Sequence, residues 1–217
     1  MIDRIKEKVS TIFSDEEMPA LEDDKRVVLI NADGGAPPEP ELRVVGLYTD
    51  INEEKVAEVT QALLYLNESN KMRDHDAEES KPIQFYISTY GGNADDMFAL
   101  YDIMKEVQKD TEIHTVGMGK VMSAGVLLLA GGTPGKRKIG KNCRVMLHSV
   151  SSGNHGDLHN LVNEVEAIQE LQEMYINCLT QETKMTKSQL KKMLERKVNV
   201  YLSAEQAVEY GIADMVL

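Results

Sequence analysis

Residues 83–95 have the sequence Ile-Gln-Phe-Tyr-Ile-Ser-Thr-Tyr-Gly-Gly-Asn-Ala-Asp, and this stretch decides the fold class. The apolar run 83–88 predicts a buried β-strand, and residues 95–108 have the spacing of a helix. Gly91 and Gly92 lie between them, where a turn is expected. A strand that is followed closely by a helix is the unit from which parallel α/β sheets are built.

The same unit recurs on both sides of this stretch. Apolar runs predict strands at residues 44–48, 113–118 and 144–147. The first strand is followed by a helical pattern that ends near Asn67, and the second by a helix at residues 123–130. The sequence therefore predicts an α/β core with parallel strands and helical crossovers.

Size and composition exclude several classes of protein. The chain has 217 residues, of which 42% are hydrophobic and 28% charged, as is typical of one globular domain with an appendage. Its longest apolar run, residues 124–132, is far shorter than the ~20 residues of a membrane span. The formal net charge of −12 opposes binding to phosphate backbones. We therefore expect neither a membrane protein nor a nucleic-acid-binding protein.

Residues 1–41 are predicted to form a separate acidic N-terminal segment, and residues 42–217 the main domain. Ile2, Ile5 and Ile12 belong to a stripe with helical spacing. A short helix packed on its own domain explains this stripe better than a helix that docks on a partner. Glycines and prolines at residues 34–40 mark the boundary of the segment.

The cysteines and the N-terminus bear on the cellular location. Cys143 and Cys178 lack the spacing of a metal site and are too few to stabilise a secreted domain of this size. The first residues lack the apolar stretch and the cleavage site of a secretion signal. These features predict reduced thiols and a cytoplasmic protein.

A long helical pattern at residues 157–183 predicts an oligomer. No glycine or proline interrupts it, so the helix would be ~40 Å long, more than a compact domain of this size covers. Because apolar residues continue along the whole helix, its projecting part needs another chain to bury them. The alternative is a bent helix folded back on its own domain.

Ser123 and His148 form the candidate catalytic pair. His148 ends the strand predicted at residues 144–147, and Ser123 lies at a strand-to-helix transition. Sheets of α/β proteins place reactive groups at such ends, and the first helical amides favour a developing negative charge. The alternative role for Ser123 is that of a helix N-cap.

Two further features of the sequence could support chemistry. Gly91 and Gly92 also follow a strand, where backbone N–H groups form an oxyanion hole or where the chain simply turns, and spacing favours neither. His155 and His159 have the i, i+4 spacing of a helical zinc site, but no Glu follows the first histidine. We therefore predict no metal and no cofactor.

Several motifs in a fixed order carry a family resemblance. They are Tyr86-Ile-Ser-Thr-Tyr-Gly-Gly92, Leu100-Tyr-Asp-Ile-Met104, Met122-Ser-Ala-Gly125 with Gly135-Lys-Arg137, Asn142-Cys-Arg-Val-Met-Leu-His148, and Tyr201-Leu-Ser-Ala-Glu-Gln-Ala-Val-Glu-Tyr-Gly-Ile-Ala-Asp214. Together they resemble the ClpP family, the proteolytic subunit of the Clp protease. The resemblance covers about residues 42–217, and the 25-residue separation of Ser123 and His148 also fits.

The resemblance implies a crotonase-like α/β fold and a serine endopeptidase. By position, Ser123 would be the nucleophile, His148 the general base, and the N–H groups of Gly92 and Ala124 the oxyanion hole. Gly91 and the loop at Gly153 would bind the substrate, which adds as a strand. The long helix would be the family's handle between rings.

The resemblance also implies partners. Two stacked heptameric rings would form a tetradecamer that encloses a chamber, and a Clp AAA+ unfoldase would deliver unfolded polypeptides to it. The chain itself has no GxxxxGK[ST] phosphate-binding motif, which is consistent with a separate ATPase.

One position departs from the family in a way that matters for chemistry. Where the family has the third residue of its Ser–His–Asp triad, this chain has Asn199. An asparagine oxygen accepts a hydrogen bond from imidazole but carries no charge to stabilise imidazolium. A weak or conditionally active peptidase follows. The alternatives are an inactive structural or regulatory subunit that co-assembles with an active ClpP, and a crotonase-type acyl-CoA enzyme, which would leave the Ser123–His148 spacing unexplained.

Overall fold

The computed structural model describes residues 42–72, 80–153, 155–194 and 198–217. The described part belongs to one compact unit, Leu42–Leu217. The acidic segment and the helical stripe predicted within residues 1–41 lie outside the described residues.

Strands and helices alternate along most of the unit, as predicted. In chain order the described elements are β1 (Val44–Leu47), α1 (Glu53–Lys71), β2 (Ile83–Thr89), α2 (Ala94–Val107), β3 (Ile113–Met122), α3 (Ala124–Ala130), β4 (Lys138–Ile139), β5 (Arg144–Leu147), α4 (Leu158–Glu182), α5 (Lys187–Leu194), β6 (Val200–Leu202), α6 (Ala204–Glu209) and β7 (Met215–Val216).

The described strands form one sheet of seven, in the order β1-β2-β3-β4-β7, with β5 attached to β3 and β6 attached to β5. All pairs are parallel except β5 with β6, which run antiparallel. A mostly parallel sheet with helices between its strands confirms the predicted α/β fold.

Strand β3 changes its neighbour part-way along. Its first half pairs with β4 at Val116 and Gly117, and its second half pairs with β5 from Lys120 onward. The register with β2 also shifts here, and Gly119 lies within the shift with φ +66°, a conformation that favours glycine. The strand continues through this irregularity and ends at Met122, four residues beyond the predicted end at Met118. It brings the end of β3 beside the end of β5.

Helix α3 is the centre of the core. Its sequence, Ala-Gly-Val-Leu-Leu-Leu-Ala, has no polar side chain, and all seven residues are buried. A helix that is apolar on every side must be surrounded, and α3 contacts β2, β3, β5, α2 and α4. The residue at its start is therefore held inside a packed framework.

Helix α4 confirms the prediction of a projecting helix. Its 25 residues span ~37 Å, and the first buried one is Tyr175. Leu158, Val162 and Val165, nearer its start, are 72%, 48% and 54% exposed. Only the C-terminal part packs on the domain, against α3 and α5.

No helix in the described ranges combines the length and the apolar character needed to cross a bilayer.

Candidate active site

Ser123 links β3 to α3 with a strained backbone. Its φ is 54° and its ψ −124°, and it is the single non-glycine residue with positive φ among the described residues. Such a conformation costs about 1–3 kcal/mol and persists only where the surroundings impose it. Here the Ser123 N–H donates to the Met146 carbonyl at 2.8 Å, and the Val126 N–H donates to the Ser123 carbonyl at 3.0 Å. Its side chain makes no capping hydrogen bond, so the N-cap role is not what places serine here.

The glycine turn after β2 packs directly on Ser123. A side chain on Gly91 would bring its Cβ to 2.6 Å from Ser123 Cβ and 3.1 Å from Ser123 Oγ, so only glycine fits there. Thr89, which is fully buried, accepts a hydrogen bond from the Gly91 N–H at 3.0 Å. The turn is thus fixed against the serine.

His148 follows β5, and its Nε2 lies 2.8 Å from Ser123 Oγ. The distance is that of a hydrogen bond between a nucleophile and its base. The two residues meet because β5 pairs with the last residues of β3, which aligns the carboxyl ends of both strands. The placement of both residues at the ends of strands predicted this pair, and the sheet brings it together.

Two backbone N–H groups beside the pair have no hydrogen-bond partner among the described residues. One belongs to Gly92, and its neighbours on both sides are held by Ile51: the Ile51 N–H donates to the Gly91 carbonyl at 2.8 Å, and the Asn93 N–H donates to the Ile51 carbonyl at 3.0 Å. The other belongs to Ala124, the first residue of α3, where helical N–H groups have no intrahelical acceptor. Both residues line the same cavity as Ser123 and His148.

Asn199 is not hydrogen-bonded to His148. The antiparallel register pairs Leu147 with Val200, so one further step sets Asn199 opposite His148. The Asn199 side chain, however, donates from Nδ2 to the Tyr201 hydroxyl at 3.5 Å and is exposed. Within the described ranges, His148 Nδ1 has no hydrogen-bond acceptor. The structure thus brings Ser123, His148 and the glycine turn into contact, whereas the Asn199 side chain is hydrogen-bonded to Tyr201 and not to His148.

Known proteins are similar to this chain in sequence. The profile of the Clp protease family matches residues 41–217. This chain belongs to the Clp protease family. Over 177 residues it is 32% identical to ATP-dependent Clp protease proteolytic subunit 1 of Corynebacterium glutamicum, covering 81% of this chain and 79% of that protein. It is also 33% identical to proteolytic subunit 3 of Frankia casuarinae (81% and 76%) and 32% identical to proteolytic subunit 1 of Tropheryma whipplei (82% and 81%).

In this Clp protease family member, the cavity beside Ser123 has a volume of about 550 Å³. The start of α2 forms one wall, helix α4 the other, and residues 149–152 continue the rim after His148. The Val150 N–H donates to Gln172 Oε1 of α4 at 3.2 Å, which ties this rim to the helix. Gly153, predicted as part of the substrate-binding edge, is exposed at the end of the same loop and is not among the lining residues.

Tyr175 is a site residue that sequence reasoning missed. The pattern identified it only as one of the apolar positions of the long helix. In the structure its hydroxyl donates to the Ser123 carbonyl at 2.9 Å, from a side chain that is 5% exposed. Burial raises the pKa of this hydroxyl above its ordinary value, so it remains a donor. The signal in the sequence was a tyrosine among the mostly apolar positions of this helix, because a buried hydroxyl needs an acceptor.

The cysteines offer no competing nucleophile. Both are unpaired, and burial raises the pKa of Cys143 to about 11. Burial and nearby acidic groups also raise the pKa of Cys178, so neither forms the reactive thiolate readily. Among the residues that the structure describes, no three His, Cys, Asp or Glu side chains are grouped as a metal site requires.

Proposed function

We propose that this chain is a serine endopeptidase subunit of a Clp-type ATP-dependent protease that hydrolyses unfolded polypeptides. The observation that carries the proposal is the 2.8 Å contact of Ser123 Oγ with His148 Nε2, at the only strained non-glycine residue of the described chain. Strain of this kind is found where a side chain is presented for chemistry. Membership of the Clp protease family supports the same reaction.

Each group in the site has a defined role in this reaction. Ser123 Oγ attacks the carbonyl carbon of a peptide bond while its proton passes to His148 Nε2. His148 then gives this proton to the leaving amine, and an acyl ester remains on Ser123. Water, deprotonated by His148, hydrolyses the ester and restores the serine. This cycle requires neutral imidazole with its proton on Nδ1.

The oxyanion of each tetrahedral intermediate would be held by the N–H groups of Gly92 and Ala124. Both groups are free of other partners in the described chain, and both residues line the cavity. Preorganised N–H donors of this kind contribute several kcal/mol to acyl transfer, because they need no reorientation when charge develops.

Assembly and delivery complete the proposal. The exposed apolar residues of the projecting part of α4 support contact with further copies of the chain. The arrangement that we propose for these copies is two stacked heptameric rings, a tetradecamer. The relatives' names, which specify the proteolytic subunit of an ATP-dependent protease, support a partner that uses ATP. We propose that this partner is an AAA+ unfoldase and that the assembly works in the cytoplasm. Light scattering should then report a mass many times 24.3 kDa.

A second candidate function rests on Asn199. With the Asn199 side chain on Tyr201, nothing described holds the Nδ1 proton of His148. A triad without its carboxylate is slower by about 10⁴ in the trypsin-type case. The chain would then act as a structural or regulatory ring subunit beside an active ClpP.

Labelling of the intact protein with a fluorophosphonate, followed by mass measurement, separates the two. The peptidase requires one adduct per subunit, located on Ser123 and absent from Ser123→Ala. His148→Ala should suppress the adduct, because the base is gone while the serine remains. A wild-type protein that stays unlabelled, or an adduct that persists in Ser123→Ala, would refute the proposed peptidase.

A further inference from the structure

Three carboxylates line the cavity beside Ser123. Asp95 contributes from the first turn of α2, and Glu164 and Glu170 contribute from α4. No lysine or arginine is among the lining residues. Any substrate side chain that enters this cavity therefore meets a negative field.

Local structure explains only one of these acids. Asp95 is stabilised by the positive end of the α2 dipole. Glu164 and Glu170 lie in the interior of α4, far from its first turn, where no such effect operates. Their position at the cavity wall is what distinguishes them.

The three carboxylates are not neutralised within the described chain. None of them forms an ion pair with another described residue. Glu173, on the same helix but outside the cavity lining, shows the contrast: it is paired with Lys187 at 2.9 Å and with Lys191 at 2.5 Å. Lysines of the domain thus neutralise Glu173, which lies outside the cavity lining. The three carboxylates that line the cavity have no such partner in the described chain and can interact with a ligand.

Apolar side chains from two facing helices also line the cavity. Met97 and Phe98 on α2 are buried, and Ile168, Leu171 and Met174 face them from α4. A long aliphatic stem with a cation at its tip matches such a lining, because the stem contacts apolar atoms while the tip meets carboxylates. Lysine and arginine are the two side chains of this form.

We propose that this cavity selects substrates with a lysine or arginine side chain next to the bond that is cut, through Asp95, Glu164 and Glu170. The proposal rests on the peptidase function proposed above, since it assigns the cavity to the acyl side of the reaction at Ser123. It makes these three residues determinants of specificity and gives them no part in the bond-breaking steps.

Peptidyl diphenyl phosphonates test this, because they modify the reactive serine at a rate that depends on the neighbouring side chain. Two probes with the same peptide are used, one with a lysine analogue and one with norleucine, which has the same stem without the cation. The lysine probe should modify Ser123 about tenfold faster at low ionic strength, as expected if each carboxylate contributes as an exposed ion pair does. The ratio should fall toward threefold at ~0.5 M salt, where the charges are screened.

Matched variants locate the effect. Glu164→Gln/Glu170→Gln should lower the ratio of the two rates to about two. Glu166→Gln makes the same change of charge on the same helix, but Glu166 lies on a different groove with Leu161 and Val165, so the ratio should stay near ten. Asp95→Asn should lower the ratio by about twofold, and Asp96→Asn, which is not a lining residue, should not change it.

The outcomes are distinct. A ratio near ten that falls only in the cavity variants supports the proposal. A ratio near one in the wild type, or one that the double variant does not change, overturns it while a generic fluorophosphonate still labels Ser123. If no phosphonate or fluorophosphonate labels Ser123, the peptidase function fails and the specificity fails with it.

Discussion

Two regions flank His148, and they differ in how firmly they are held. Ser123 donates its N–H to the Met146 carbonyl, and its own carbonyl accepts from the Val126 N–H and the Tyr175 hydroxyl. Its hydroxyl oxygen is hydrogen-bonded to His148 Nε2. Asn199 immediately precedes β6, and its side chain has one hydrogen bond within the described ranges, the 3.5 Å contact with Tyr201. One side of the imidazole is built into the core, and the other lies at an exposed edge.

The difference shows that the fold supplies hydrogen-bond partners to Ser123 and few to Asn199. A strained serine needs buried partners on every side, because otherwise the turn would relax and release about 1–3 kcal/mol. An exposed asparagine needs none, since water satisfies its amide. The geometry of the nucleophile is therefore fixed within the single subunit, whereas no described residue holds His148 from its Nδ1 side. Four substitutions test this contrast, from the largest expected effect to the smallest.

Asn199→Asp should raise the rate of fluorophosphonate labelling by up to ~10³, because a carboxylate opposite His148 both accepts from Nδ1 and stabilises imidazolium. The rate is measured from intact mass against time. Asn199→Ala is the control and should label no faster than the wild type. Equal rates for the two variants would mean that residue 199 does not reach His148.

Gly91→Ala should lower the labelling rate by roughly 100-fold, since its Cβ would lie 2.6 Å from Ser123 Cβ and displace the nucleophile. Gly135→Ala is a control for backbone strain: Gly135 also has positive φ, at +82°, but a Cβ added there would have no atom within 4 Å. Thermal denaturation by circular dichroism should show a lower Tm for both. A loss of labelling in Gly135→Ala as well would assign the effect to strain alone.

Tyr175→Phe should slow labelling about tenfold and reduce the free energy of unfolding by ~1 kcal/mol, because the Ser123 carbonyl loses a buried donor. Urea denaturation and labelling kinetics measure the two effects. In Tyr65→Phe the hydroxyl removed belongs to a side chain that is 71% exposed, so neither value should change. If Tyr175→Phe loses stability without losing rate, the hydroxyl supports the core and not the serine.

Tyr201→Phe should accelerate labelling about twofold, because it releases the Asn199 amide to turn toward His148 while the ring remains against Arg144. The effect is small because a contact of 3.5 Å is weak. In the Asn199→Ala background the same substitution should change nothing. An acceleration that persists there would point to a different cause.

The larger elements of this fold follow from local patterns. The strand predicted at residues 144–147 coincides with β5, and the strand predicted at residues 44–48 differs from β1 by one residue. Both are apolar runs flanked by polar residues, which is the signal that periodicity detects. The two- and three-residue strands β4, β6 and β7 were not predicted, because so short a run has no period.

Contacts between distant residues escaped prediction for a different reason. Tyr175 meets a carbonyl 52 residues away, and Ile51 holds the glycine turn 40 residues later in the chain. The sequence around one partner does not indicate which distant residue it contacts. Only the paired strands and the packing of α4 on α3 bring them together.

The sequence by itself determined the α/β class, the projecting helix and the choice of Ser123 and His148, because apolar spacing and residue type are local properties of the chain. Tertiary structure alone decided how these residues act together: the change of neighbour along β3 aligns the serine with the histidine, and the Gly91 turn leaves no room for a side chain. Tertiary structure also decided that the Asn199 amide donates to the Tyr201 hydroxyl. The rotamer of a side chain at an exposed edge depends on the partners that the fold brings within reach.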